Sequence, residues 1–195
     1  MQLDQLFGDA SVLRSKELEE RGLSRTAIHE AVVAGRLERV GRGLYTLPGA
    51  EVGEHHSLVV VARRVPHAGI CLLSALAFHD LTTQAPHEVW IAISLKDRRP
   101  ELDHPPLRVF RYGPSHSEVG LEEHLVEGTT LKVYSVARTV VDLFRYRNKV
   151  GIEVALEALR EGWRERRFTL AELNRIARAC RMSRVMKPYL EALTS

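Results

Sequence analysis

The sequence predicts an α+β chain in which a small unit over residues 1–50 precedes a larger mixed α/β region over residues 51–195. Three observations predict it. Up to Pro48-Gly49, short helical patterns alternate with glycines. Beyond residue 54, runs of β-forming residues alternate with helical periodicity. The 45% hydrophobic content over 195 residues is enough to bury a substantial core.

A short helix over residues 2–7 opens the chain. SKELEER over residues 15–21 reads as a second helix, stopped by Gly22, a residue suited to the left-handed position after a helix end. Ser24 then caps a third helix over residues 25–34, and Gly35 follows it. In this third helix Ala27, Ile28, Ala31 and Val32 share one face, which leaves Arg25, Thr26, His29 and Glu30 facing outward. Residues 36–40 and 44–47 read as two short strands around Gly41-Arg42-Gly43, a hairpin whose glycines permit positive φ and whose tip presents an arginine. Helix, tight turn, helix and hairpin together predict a winged helix-turn-helix over residues 1–50. Residues 50–54 read as a linker to the C-terminal domain over residues 51–195.

That domain opens with apolar helices over residues 56–65 and 72–81, the second with Ser74 as its candidate cap. EVWIAISL (88–95) and LRVFRY (107–112) read as strands separated by a charged, proline-containing loop. Residues 116–124 read as a polar helix and 131–134 as a third strand. Ser135 begins a helix through Tyr146 with Val136, Val140, Val141, Leu143 and Phe144 on its apolar face, and three more helices follow over 151–163, 169–180 and 184–193.

Charge supplies a weak signal overall and a stronger one locally. The net charge of +3 with a pI near 9.0 leans toward a polyanionic partner. Residues 132–187 hold 14 Lys and Arg against six Asp and Glu, an excess of eight, which suits either solvated helix faces or a polyanion surface. Residues 1–49 balance at seven of each sign, so placement carries the argument there. Four of the seven basic residues fall on the outward helix and the hairpin, whereas Glu17, Glu19 and Glu20 belong to the preceding helix.

A helix fits the major groove of DNA, where short polar side chains near its N-terminus reach base edges while amides there favour a phosphate. Arg25 is the candidate base contact, with Ser24, Thr26 and His29 beside it. Arg36, Arg39 and Arg42 lie where a wing would meet the backbone or minor groove, and Lys16 could anchor a flanking phosphate. The expected partner is double-stranded DNA. The competing reading is a winged helix that serves protein contacts and carries solvated arginines.

The stretch LRSKELEERGLSRTAIHEAVVAGRLERVGRGLYTLPG resembles the N-terminal domain of AbiEi-type antitoxins, regulators of type IV toxin-antitoxin systems. The matching pieces are a short helix, Gly-Leu-Ser-Arg (22–25), Gly-Arg-Leu (35–37) and Arg-Gly-Leu-Tyr (42–45) followed by Pro48. YSVARTVVDL (134–143) is similar to a segment of the same family's larger domain. The resemblance implies an autoregulating repressor that binds repeats in its own promoter. It also implies a C-terminal domain that counters a nucleotidyltransferase toxin encoded beside it, without the need for a stable complex; the alternatives are a protein-interaction antitoxin and a solitary regulator with no adjoining toxin. The helix that usually precedes the turn unit is short here, which suggests a partly missing or loosely packed first helix.

Catalytic and metal chemistry find little support, and the expectation is a chain that is no enzyme and carries no cofactor. There is no HxxxH, HExxH, CxxC, GxSxG or phosphate-loop glycine pattern. Cys71 sits in an apolar run and reads as a packed thiol, and Glu88, Asp97, Glu101 and Asp103 fall mostly in a solvated loop, which leaves a C-terminal nuclease as the lesser alternative. Arg138 and Asp142, spaced i, i+4, read first as a structural ion pair and second as a partner contact by Arg138. Arg164, Arg166 and Arg167, beside Trp163, complete a candidate C-terminal polyanion surface, although cations near a helix C-terminus explain them equally well. No apolar run approaches a membrane span and the N-terminus does not read as a secretory signal, so a cytoplasmic protein is expected.

Overall fold

The computed structural model of the chain describes residues 3–194 other than Thr83 and Ala85, and its elements are mixed α/β, with a small N-terminal sheet and a larger one after it. In the first part, α1 (Leu3–Phe7), β1 (Leu13–Arg14), α2 (Ser15–Glu20), α3 (Arg25–Val33), β2 (Glu38–Gly41) and β3 (Leu44–Thr46) follow in order. The strands form an antiparallel sheet of order β1-β3-β2 under the helices, the arrangement of a winged helix-turn-helix. Gln2, placed in the first helix by the sequence, lies outside the described residues. The expectation of a loose first helix is corrected: α1 is short, but Leu6 and Phe7 are buried in one core with Leu13, Leu18, Leu23, Ile28, Ala31 and Leu37.

The larger α/β part is built on a five-stranded mixed sheet of order β6-β5-β4-β8-β7. Its strands are β4 (Gly69–Ile70), β5 (Val89–Ser94), β6 (Leu107–Tyr112), β7 (Leu121–Val126) and β8 (Thr129–Tyr134). The first five residues of β5, VWIAI, are apolar and buried because both faces of the sheet are covered there. Val89, Ile91 and Ile93 point to a core shared with α4 (His56–Arg64). Trp90 and Ala92 point to the opposite core, shared with α5 (Leu72–Phe78) and α6 (Val136–Arg145). After α7 (Arg147–Val150), the helices α8 (Ile152–Arg164), α9 (Leu170–Ala179) and α10 (Ser183–Thr194) close that second layer around Leu159, Phe168, Leu173, Ile176 and Met186.

Two expectations fail here. Residues 116–124 do not form a polar helix: residues 116–120 are turns, and Leu121–Val126 is the edge strand β7, paired antiparallel with β8 in register from Leu121↔Tyr134 to Val126↔Thr129. Its Glu122, Glu123 and Leu125 are exposed, so the strand shows no clean alternation, and pairing overrides helical propensity. The hairpin turns at Glu127-Gly128, both at positive φ, which suits the twist of a two-residue connection. Ser74 is not a cap but a residue inside α5, and its Oγ accepts a hydrogen bond from Trp90 N at 2.9 Å, tying helix to sheet.

The two parts are held together by polar contacts as well as by Val12 and Leu44, which share the α4 core. Arg63 at the end of α4 donates to Glu17 Oε1 at 2.5 Å and to Thr129 Oγ1 at 2.9 Å, while Arg14 Nε donates to Arg63 O at 2.6 Å. Glu127 accepts from the Ser11 hydroxyl, from Gly53 N at 2.9 Å and from the His56 ring at 2.8 Å. Burial opposes ionisation of Glu127, yet these hydrogen bonds outweigh it and hold the carboxyl below its usual range. Segment 50–54 carries no helix or strand and is pinned through Gly53.

Candidate nucleic-acid interface

The surface of interest is built by the turn between α2 and α3 and by the β2–β3 hairpin. Leu18 and Leu23 are buried beneath the turn, and Gly22 takes φ +94, as its place after the helix requires. Ser24 caps α3 by accepting from Ala27 N at 3.2 Å, in extended backbone geometry. Ile28 and Ala31 are buried, so the face bearing Arg25, Thr26, His29 and Glu30 is exposed along its length. The hairpin is fixed against the start of α2: Ser15 N donates to Gly43 O at 3.0 Å, and Gly43 at φ +71 completes the tip that presents Arg42 to solvent.

Between helix and hairpin lies a groove lined by Ser15, Glu19, Arg25, His29, Arg39 and Tyr45, among others. It brings Arg25 and His29 of α3 together with Arg39 of β2. Arg39 Nε donates to Gly41 O at 3.2 Å, and Arg25 Nε donates to Glu19 Oε1 at 2.9 Å. Arg36 and Arg42 are exposed. Lys16 is also exposed but sits 3.7 Å from Glu20 and lines a different groove, beside Arg14, Arg63 and Thr130, so the structure does not gather it with Arg25. Ser15, Glu19 and Tyr45 line this groove without having been among the site residues expected from the sequence. The apparent assignment of Glu19 to a supporting helix hid that the turn swings its carboxylate onto the first residue of the next one.

With that geometry in place, comparison with known protein families bears on the first part of the chain. Residues 1–48 match the AbiEi antitoxin family of transcriptional regulators. The matched span takes in every element from α1 through β3, and it stops short of the segment 134–143. No curated protein matches the chain. The stretch that matches this family model folds as a winged helix-turn-helix whose outward helix face and hairpin tip are solvent-exposed and arginine-bearing.

The C-terminal candidates fare unequally. Arg138 is no surface residue: its side chain is 1% exposed, and Nε donates to Asp142 Oδ2 at 2.8 Å while Nη1 donates to His116 O at 2.6 Å and Val119 O at 2.7 Å. Placed on α6 under the loop that follows β6, it ties helix to loop and cannot meet a polyanion. Arg164, at the end of α8, and Arg166 and Arg167 just beyond it are exposed, with Arg164 paired to Glu161 and Arg167 3.5 Å from Glu165. Trp163 is half-buried against the core. Cys71 is fully buried, and burial pushes its thiol well above the usual range, the opposite of an activated nucleophile. Among the described residues no group of His, Cys, Asp and Glu is placed to hold a metal ion, and no helix is long and apolar enough to cross a membrane.

Proposed function

We propose that the chain is a sequence-specific DNA-binding repressor that acts as the antitoxin of a type IV toxin-antitoxin system and represses its own operon. The observation that carries this reading is the placement of Arg25, Thr26 and His29 on the open face of α3 beside an arginine-tipped hairpin, within a unit matching AbiEi regulators. Arg25 reads base edges, Ser24 and Thr26 sit over phosphate at the helix N-terminus, and Arg36, Arg39 and Arg42 meet the backbone or minor groove. Lys16, Arg164, Arg166 and Arg167 are secondary contacts in the same reading. The division at residue 50 is functional as well: residues 51–195 counter a nucleotidyltransferase toxin without forming a stable complex. The protein binds rather than catalyses, and works in the cytoplasm. A gel-shift assay on the duplex upstream of its own operon tests the reading. Binding at repeats there is expected, and no shift even at low salt overturns it.

A further inference from the structure

We propose that Glu19 is a positioning residue for base readout, holding Arg25 so that its terminal N–H pair faces a guanine; the inference rests on α3 being the DNA-reading helix. Glu19 and Arg25 are six residues apart on different helices, and their 2.9 Å contact exists only because the turn folds the end of α2 onto the start of α3. The Arg25 side chain is 85% exposed and that of Glu19 33%. A pair so open to water contributes little to stability, so the fold does not need it.

Its geometric effect is larger. Of the five donors on the planar guanidinium, Nε–H is committed to Glu19, and among the described residues Arg25 has no other hydrogen-bond partner. The edge left free is the Nη1/Nη2 pair, which matches the O6 and N7 acceptors of guanine in the major groove. A free arginine loses considerable rotamer freedom on docking, and one already held by Glu19 loses less.

Charge decides which role fits. With the Glu19 carboxylate beside it, Arg25 is locally neutralised and makes a poor phosphate anchor, because the carboxylate repels the backbone. Base-edge hydrogen bonding does not depend on that net charge. Arg36 and Arg42, which have no such carboxylate among the described residues, are left as backbone contacts.

The test uses the full chain. A duplex is selected with the wild-type protein from a randomised 20-bp library, and affinities are measured for it and for versions with each G·C pair replaced singly by A·T. In the wild type one replacement is expected to cost about tenfold or more. Glu19→Ala is expected to lower that discrimination at least about fivefold while binding to the replaced duplex is unchanged or tighter; Glu19→Gln, which keeps the acceptor oxygen, retains most of it. Melting temperatures equal to wild type exclude misfolding. Discrimination by Glu19→Ala equal to that of the wild type overturns the positioning role alone. A wild-type chain that selects no sequence, or an Arg25→Ala variant with full discrimination, overturns the DNA-reading helix itself.

Discussion

Replacement of Asp142 by alanine should be among the most destabilising substitutions in the chain. Asp142 and Arg138 are each 1% exposed, and Asp142 Oδ2 accepts from Arg138 Nε and from the Tyr112 hydroxyl, both at 2.8 Å. Burial lifts the Asp142 carboxyl above its usual range against the pull of Arg138 and Tyr112, so the ion pair is held at the expense of desolvation. Removing the carboxylate leaves a buried guanidinium whose remaining hydrogen-bond acceptors are the His116 and Val119 carbonyls, stacked over the Tyr112 and Tyr134 rings with no anion beside it, and takes the carboxylate acceptor from the Tyr112 hydroxyl. Breaking one side of a buried pair costs about 3–5 kcal/mol. At about 2–4 °C per kcal/mol for a chain this long, the melting temperature should fall by roughly 10 °C. The double variant Arg138→Met with Asp142→Leu removes both charges and should recover most of the loss, because the stranded charge rather than the missing attraction dominates. Urea unfolding of the wild type, both single variants and the double variant reads these values. A cost below about 1 kcal/mol for Asp142→Ala, or a double variant as unstable as the sum of the two singles, would refute the reasoning.

Further outcomes follow from the same contacts. Gly128→Ala should destabilise by about 1–3 kcal/mol, since a Cβ at this φ of +65 would lie 2.7 Å from the Asp9 carbonyl carbon; a melting temperature equal to wild type would contradict the tight seating of the β7–β8 hairpin against the N-terminal unit. His79 donates from Nε2 to Tyr134 O at 2.8 Å, and burial, outweighing the opposing pull of that bond, sets its ring below the usual histidine range. The unfolded chain therefore binds the extra proton first. Stability contributed by the neutral ring is present above the unfolded pKa of about 6.5 and is lost as pH falls through the lower folded value. Denaturation midpoints should drop between pH 7 and 5, and His79→Gln should flatten that slope; an unchanged slope in the variant would assign the pH dependence elsewhere.

The N-terminal unit was legible because local signals agree with the fold: Ser24 caps, Gly22 turns, and the Ile28/Ala31 face buries what periodicity says it should. The strand β5 was legible from its β-branched and aromatic run. Edge strand β7 was not, because its Glu122-Glu123-His124 stretch is half-open to water and owes its conformation to β8 rather than to its own pattern. The two-residue strands β1 and β4 are likewise set by partners, Leu13 opposite Tyr45 and Ile70 between Ile91 and Val133. In the candidate site, outward arginines could be read from helical spacing, whereas the Glu19 contact and the Glu17–Arg63–Thr129 junction could not, since they join residues brought together only by tertiary packing. Arg138 shows the converse: its i, i+4 spacing to Asp142 gave the pair, but nothing local told that both would be buried.

In the proposed complex α3 reads sequence and the hairpin grips the backbone. Fluorescence anisotropy with a selected duplex and a scrambled one, across a salt series, tests it for wild type, Arg25→Ala and Arg42→Ala. Arg25→Ala should lose discrimination between the duplexes with little change in salt slope. Arg42→Ala should weaken binding to both and reduce the slope by about one. Equal losses of affinity in both variants with discrimination intact would contradict this division of labour, and no binding by the wild type would contradict DNA binding altogether.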